Sequence, residues 1–293
     1  MIYEIQAKSL LQKTKSPSSW FNVYYNMNIY RGCQHGCIYC DSRSDCYRIE
    51  NFDTDVSVKI NALEILKKEL PKKDNQLTIG TGAMCDPYMP TEKRYNLTKG
   101  ALELIAEHKF PLHLITKSDL VLRDKELLKE INNNKIATVA FTVTTADDCL
   151  AKIVEPKAPI PSKRFEALNA LSEEGINVGV TLMPVLPFIE DSEESIAEIV
   201  NLAKKNGAKF IIAYFGMTIR NGQREYFYSK LDEHFSGMKD KYIKTFKNSY
   251  NCDTLNHKKL YALLFKLCRD KNIACSMKDI TYYNPKKEQL SLF

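Results

Sequence analysis

The chain has 293 residues, 44% of them hydrophobic and 27% charged, with a net charge of +6; this is the balance of a globular protein with a substantial core. No apolar run approaches the ~20 residues needed to cross a bilayer, and the opening MIYEIQAKSLLQKTKS lacks the apolar stretch and cleavage site of a secretory leader. Membrane and exported classes are therefore set aside, and the expected location is the cytoplasm.

From about residue 26 onward, short β-branched or apolar runs alternate with longer amphipathic segments. The expected strands are 27–30, 77–81, 112–116, 137–142, 177–182 and 209–214, and between them helices are expected over 58–70, 97–107, 123–131, 162–174 and 192–205. Asn96 stands where a cap for LTKGALELI is wanted, and Asp191 or Ser192 where one is wanted for EESIAEIV. Gly175 and Gly207 follow two helix ends, where a left-handed residue is favoured. Six strand–helix units in series imply a parallel sheet, since each parallel connection needs a crossover. Periodicity leaves two arrangements open, a barrel-like sheet and an open doubly wound one. No G-x-G-x-x-G follows the first strand, which weakens the dinucleotide-binding version. After Phe215 the pattern turns to helices rich in Lys, Tyr and Phe, over 223–236, 238–249 and 256–270, followed by a short apolar run, 273–275, and a polar tail.

Nine cysteines, an odd number, favour metal binding or catalysis over disulfides in a reducing compartment. Three of them fall in RGCQHGCIYC, as Cys33, Cys37 and Cys40, directly after the first expected strand and beside Gly32 and Gly36. Thiolates at these separations can converge on one iron–sulfur centre, and three ligands leave a fourth iron open. The competing reading is a zinc site completed by His35 or Cys46.

The Cys-x-x-x-Cys-x-aromatic-Cys pattern, with Tyr39 in the aromatic slot, resembles the signature of the radical S-adenosylmethionine superfamily. Further segments resemble its spore photoproduct lyase-like branch: GTGAMCDPYMPTE, ITKS and EPKAPIPSKR occur in matching order across roughly residues 25–215. The resemblance implies a partial parallel (β/α)6 TIM-like barrel with a helical C-terminal extension, dividing as 1–216, 217–288 and a tail, 289–293. It also implies a 4Fe-4S cluster on Cys33, Cys37 and Cys40, whose unique iron chelates S-adenosyl-L-methionine, and a 5′-deoxyadenosyl radical as oxidant.

Carried over by position, Lys117 would pair with the cofactor carboxylate and Thr144 would hydrogen-bond its ribose or carboxylate. Tyr39 would approach the adenine, Met183 would pack on its apolar face, and Asp86 would make a polar contact to cofactor or substrate. The lyase returns hydrogen to its product from a cysteine near the end of the second strand. Here Ala83 occupies that position and Cys85 follows two residues later, so Cys85 is either a displaced hydrogen donor or a small buried filler. A flavodoxin- or ferredoxin-type electron donor is implied as well.

Between 217 and 293 there are 15 Lys and Arg against 8 Asp and Glu, interleaved with Tyr226, Phe227, Tyr228, Tyr242, Phe246, Tyr250, Tyr282 and Tyr283. Such a surface suits stacking on exposed bases and neutralising phosphates, although aromatics at helical spacing also serve as core. The last five residues, Gln289, Leu290, Ser291, Leu292 and Phe293, resemble the pentapeptide that docks on the bacterial DNA polymerase sliding clamp. The leading expectation is radical chemistry on a DNA lesion. The alternatives are a radical enzyme acting on a peptide, RNA or small metabolite, and a non-catalytic zinc adaptor for nucleic acid.

Overall fold

The computed structural model describes residues 1–282. The tail 283–293, with its clamp-like pentapeptide, lies outside the described residues.

Six parallel strands form the frame: β1 (Val23–Met27), β2 (Thr78–Thr81), β3 (Leu112–Thr116), β4 (Ala137–Thr142), β5 (Asn177–Leu182) and β6 (Phe210–Ala213). Each pairs in parallel with the next in sequence, and an antiparallel strand, Leu11–Lys13, closes the β1 edge of a seven-stranded sheet. Strand order that follows chain order is the order of a barrel, which decides against the doubly wound alternative. β6 does not pair back to Leu11–Lys13, so the barrel is partial.

The interior closes because small residues make room for large ones. A Cβ on Gly179 would lie 2.5 Å from the Phe210 ring, and one on Gly80 would lie 2.5 Å from Val23. Phe21, Val23, Ala140 and Phe210 form that inner cluster. The larger core lies between the sheet and the outer helices, Ala62–Glu69, Leu97–Glu107, Lys125–Asn134, Pro161–Glu173 and Glu193–Lys205.

Three expectations change. Val58 belongs to a strand, Val56–Lys59, which pairs with Ile2–Ile5 and Tyr30–Arg31 in a small separate sheet; its in–out alternation reads as the start of the following helix when pairing partners are unknown. The expected first strand divides into β1 and Tyr30–Arg31, which pair in different sheets. Asn96 is left-handed at φ 52° and makes no side-chain cap. Glu92 takes that role, accepting from the Thr98 and Lys99 amides at 3.0 and 3.2 Å. Ser192 does cap its helix through the Ser195 amide at 3.0 Å, and Gly175 and Gly207 both have positive φ.

The extension contains Gln223–His234, Met238–Phe246 and His257–Asp270. Leu260, Leu264 and Cys268 of its last helix pack into the barrel's own core. The first two helices build a second core with Cys37, Ile38 and Tyr39 of the cysteine loop. Several of the aromatics expected to stack on bases are spent here: Phe227, Tyr228 and Tyr242 are buried, whereas Tyr250 is exposed. No helix of the described residues is long and apolar enough to cross a membrane.

Candidate active site

The loop after β1 brings Cys33, Cys37 and Cys40 together as free thiols, the first two buried and the third half-buried. Its path needs glycine at position 32, where φ is +84° and a Cβ would meet the Asp55 carbonyl oxygen at 2.2 Å. Neighbours clamp the loop. The Cys33 amide donates to the Phe52 carbonyl (3.1 Å), Ile38 to Val154 (2.9 Å), and Lys157 to the His35 carbonyl (3.1 Å). From the extension, the buried Gln223 amide donates to the Tyr39 carbonyl at 3.0 Å.

Burial pushes all three thiols up, Cys37 to about 12. Asp86, Cys37 and Cys40 raise Cys33 further, while Lys117 pulls Cys37 and Cys40 back down.

Above the carboxyl ends of the strands lies a cavity of about 430 Å³, where parallel barrels place their ligands. Tyr39, Cys40, Lys117, Thr142, Thr181 and Met183 are among the residues on its wall. Tyr39, Lys117 and Met183 therefore line one cavity beside the cysteine loop.

Lys117 is held on three sides. Its ammonium is 3.8 Å from Glu155 and 5.7 Å from the Tyr39 ring centroid, and its amide donates to Asp86 at 2.7 Å. Burial works against its charge, but Cys37 and Glu155 outweigh that and hold its pKa above the ordinary value.

Three other expected residues point elsewhere. Asp86 accepts from the Tyr88 amide (2.8 Å), the Thr116 hydroxyl (2.7 Å) and the Lys117 amide, and lies 3.1 Å from His35 Nε2. Burial raises its carboxyl, but His35 and these donors prevail and bring it to about 2. It ties the cysteine loop to the ends of β2 and β3 and is not on the cavity wall. Thr144 is fully buried and donates to Glu190 at 2.7 Å. Glu190, pushed by burial to about 8, also accepts from the Leu186 amide. Cys85 donates from its thiol to the Tyr30 carbonyl at 3.0 Å and does not line the cavity; Ala83 and Met84 line it instead. That is the arrangement of a buried filler. The two-residue shift along an extended strand that would have kept the face is lost because the chain leaves β2 at Thr81 and turns at Gly82.

Sequence reasoning passed over a buried group behind the wall. Glu155 receives the Tyr39 hydroxyl and an ion pair from Arg164. Arg164 also donates to the Thr142 carbonyl at 2.9 Å and to Pro159 at 2.7 Å. Both residues sit in EPKAPIPSKR, so the segment carried a signal, but nothing in it says that two charges nine positions apart meet inside the protein.

Singly wound part-barrels with a thiol-bearing loop after the first strand form a class of enzymes that start radical chemistry from a metal cluster. This chain belongs to the radical SAM superfamily, whose profile matches residues 27–203. Its enzymes use a 4Fe-4S cluster and S-adenosylmethionine.

Among curated relatives, an uncharacterized protein of Mycobacterium tuberculosis is 31% identical over 77% of this chain and 67% of its own length. One of Methanocaldococcus jannaschii is 34% identical over 67% and 72%. Among solved structures, spore photoproduct lyase complexed with dinucleoside spore photoproduct matches with a TM-score of 0.71 at 13% identity, over 94% of this chain and 81% of that one. A variant of that lyase with bound AdoMet gives 0.70. A radical S-adenosylmethionine methyltransferase from Kitasatospora setae gives 0.52 at 11% identity, over 83% and 51%. These structural likenesses are of fold.

The residues present fit such a cluster: one glycine-turned loop carries three free cysteines, the third on the cavity wall with Lys117, and thiolates are the ligands iron–sulfur centres take. The zinc alternative loses its fourth ligand, since His35 faces Asp86 and Cys46 is exposed beside Arg220.

Proposed function

We propose that Cys33, Cys37 and Cys40 hold the 4Fe-4S cluster and that the enzyme acts lyase-like on a lesion in DNA. The observation that carries the ligand assignment is the free, glycine-positioned thiol trio whose third member, Cys40, lies on the cavity wall with Tyr39 and Lys117. When bound, the cluster and S-adenosylmethionine supply a 5′-deoxyadenosyl radical that abstracts hydrogen from substrate. Lys117 binds the cofactor's carboxylate as a pre-placed cation. Tyr39 would approach the adenine and Met183 would pack on its apolar face, and the apolar wall around Ile115, Met183 and Pro184 would exclude water.

The DNA assignment is supported by the ordered motifs shared with the spore photoproduct lyase-like branch and by the matching fold. The exposed Tyr250 adds support: Arg220 lies 4.8 Å over its ring and 3.4 Å from Asp41 of the cavity wall, so an aromatic and a cation stand together beside the cavity. A second reading, radical modification of a peptide, RNA or small metabolite, is favoured by Ala83 and the averted Cys85, because the lyase's thiol donor has no counterpart facing the cavity. We further propose a cytoplasmic enzyme served by a flavodoxin- or ferredoxin-type donor, with Gln289–Phe293 tethering it to the sliding clamp. Loss of clamp pull-down on deleting those five residues tests the tether.

The decisive experiment is anaerobic reconstitution and reduction, followed by assay of 5′-deoxyadenosine with and without irradiated DNA. Slow cleavage alone, accelerated by irradiated DNA, is expected, and Cys33→Ala, Cys37→Ala and Cys40→Ala should each abolish it. Full cleavage in all three variants would refute the ligand assignment; indifference to irradiated DNA would favour the second reading.

A further inference from the structure

We propose that Glu155 is the positioning residue of the cofactor wall, fixing the Lys117 ammonium and the Tyr39 phenol before S-adenosylmethionine arrives. The inference rests on the reading of Lys117 and Tyr39 as cofactor-facing groups.

Glu155 follows the helix Asp148–Val154, anchored by its amide to the Ala151 carbonyl at 2.8 Å, and is only 1% exposed. Its two oxygens divide the work. Oε1 accepts from the Tyr39 hydroxyl and lies 3.8 Å from Lys117 Nζ. Oε2 pairs with Arg164, itself wholly buried. Arg164 in turn grips the carbonyl of Thr142, the last residue of β4. One carboxylate thus ties together the cysteine loop, the end of β3 and the end of β4. Tyr39, Lys117 and Thr142, the members of those three elements, all line the same cavity.

A purely structural ion pair would not need this arrangement. Glu155 and Arg164 already neutralise each other, and a buried pair gains little once its desolvation is counted. Drawing two cavity-wall groups onto the free oxygen adds no further neutralisation for Arg164, but it removes the freedom of both groups. An unrestrained lysine loses its rotamer entropy when it captures an anion. A lysine held between a carboxylate and an aromatic face has lost most of that freedom already, and binding then costs less.

The test is S-adenosylmethionine binding to the reconstituted protein by calorimetry, with the change in the cluster's electron paramagnetic resonance spectrum on cofactor addition as a second readout. Glu155→Gln keeps shape and iron content but gives up the charge that holds Lys117, and should weaken binding about tenfold. Lys117→Met should weaken it more. The double variant should bind more tightly than the two separate losses combined would give, since Glu155 acts in part through Lys117. Glu155→Asp, which keeps the Arg164 pair but withdraws the shared oxygen from the cavity wall, should fall between wild type and Glu155→Gln; it also serves if Glu155→Gln does not retain iron. Wild-type affinity in Glu155→Gln or Glu155→Asp beside a weakened Lys117→Met, or full additivity in the double variant, would overturn the assignment. Undiminished binding by Lys117→Met would instead overturn the underlying placement of Lys117 on the cofactor.

Discussion

His113 offers a test of the barrel interior that does not depend on the cofactor. It lies on β3, 1% exposed, stacked on Phe21 with ring centroids 4.0 Å apart and edge-on to Trp20 at 6.2 Å. Its Nε2 has no hydrogen-bond partner among the described residues. Burial therefore presses its pKa from 6.5 down to about 3. Because the folded value lies below the unfolded one, the unfolded chain takes up the proton first as pH falls. Stability is intact above pH 6.5 and declines as pH drops toward 3. At pH 5 the loss from this group is about 2 kcal/mol, rising to about 3 kcal/mol at pH 4. In His113→Leu the ring stacking, worth about 1 kcal/mol, is lost, but so is a buried nitrogen with no partner, which costs about 1–3 kcal/mol. At pH 7.5 variant and wild type should then agree within about 1 kcal/mol, whereas at pH 5 the variant gains roughly 2 kcal/mol on wild type. Urea unfolding of both proteins at the two pH values measures this. A stability difference that stays constant between pH 7.5 and 5 would refute the reasoning.

Other perturbations probe the loop and its supports. Gly32→Ala must place a Cβ against the Asp55 carbonyl oxygen at a positive φ, which should cost about 2–4 kcal/mol and empty the protein of iron, read by iron and sulfide analysis after reconstitution. Cys85→Ala removes the thiol's bond to the Tyr30 carbonyl; a stability loss of about 1–2 kcal/mol is expected in thermal melts, with 5′-deoxyadenosine formation unchanged. Gln223→Leu strands the Tyr39 carbonyl and the Arg220 amide, both now partnered by that side chain. It should cost about 2–4 kcal/mol and speed iron loss to a chelator, whereas chelation at the wild-type rate would count against a bracing role.

The fold was legible because its signals are local. Five of the six strands and most helix limits follow, within a residue or two, from alternation and caps that each segment carries in itself, as in Leu112–Thr116 or Glu193–Lys205. Strand order needed the structure, since periodicity does not distinguish a barrel from a doubly wound sheet. The site was legible where chemistry is written in spacing: three cysteines at i, i+4 and i+7 span one loop. It was illegible where function depends on which way a side chain turns. Thr144 and Lys117 both follow strand ends, yet one faces Glu190 inside the protein and the other the cavity. Glu155 and Arg164 were hidden for a related reason: sequence reports charge but not burial, and only burial makes their pairing consequential.

The extension shows what position alone would not. Composition recommends it as a basic, aromatic surface, but its aromatic residues mostly face inward, and the core they form includes Cys37, Ile38 and Tyr39. Tyr242 is wholly buried there, donating to the Pro187 carbonyl at 2.9 Å, and Gln223 reaches the Tyr39 carbonyl. The segment that orients the thiols is therefore packed between two bodies, the barrel through Asp86 and His35 on one side and the extension on the other. With the cluster ligated as proposed, one coordination position would be left to a dissociable cofactor, and the loop would have to keep its shape while that position empties and refills. Support from two independent cores provides that rigidity, because loosening either one leaves the other in contact with the loop. What the extension contributes first is thus the stability of the cysteine loop.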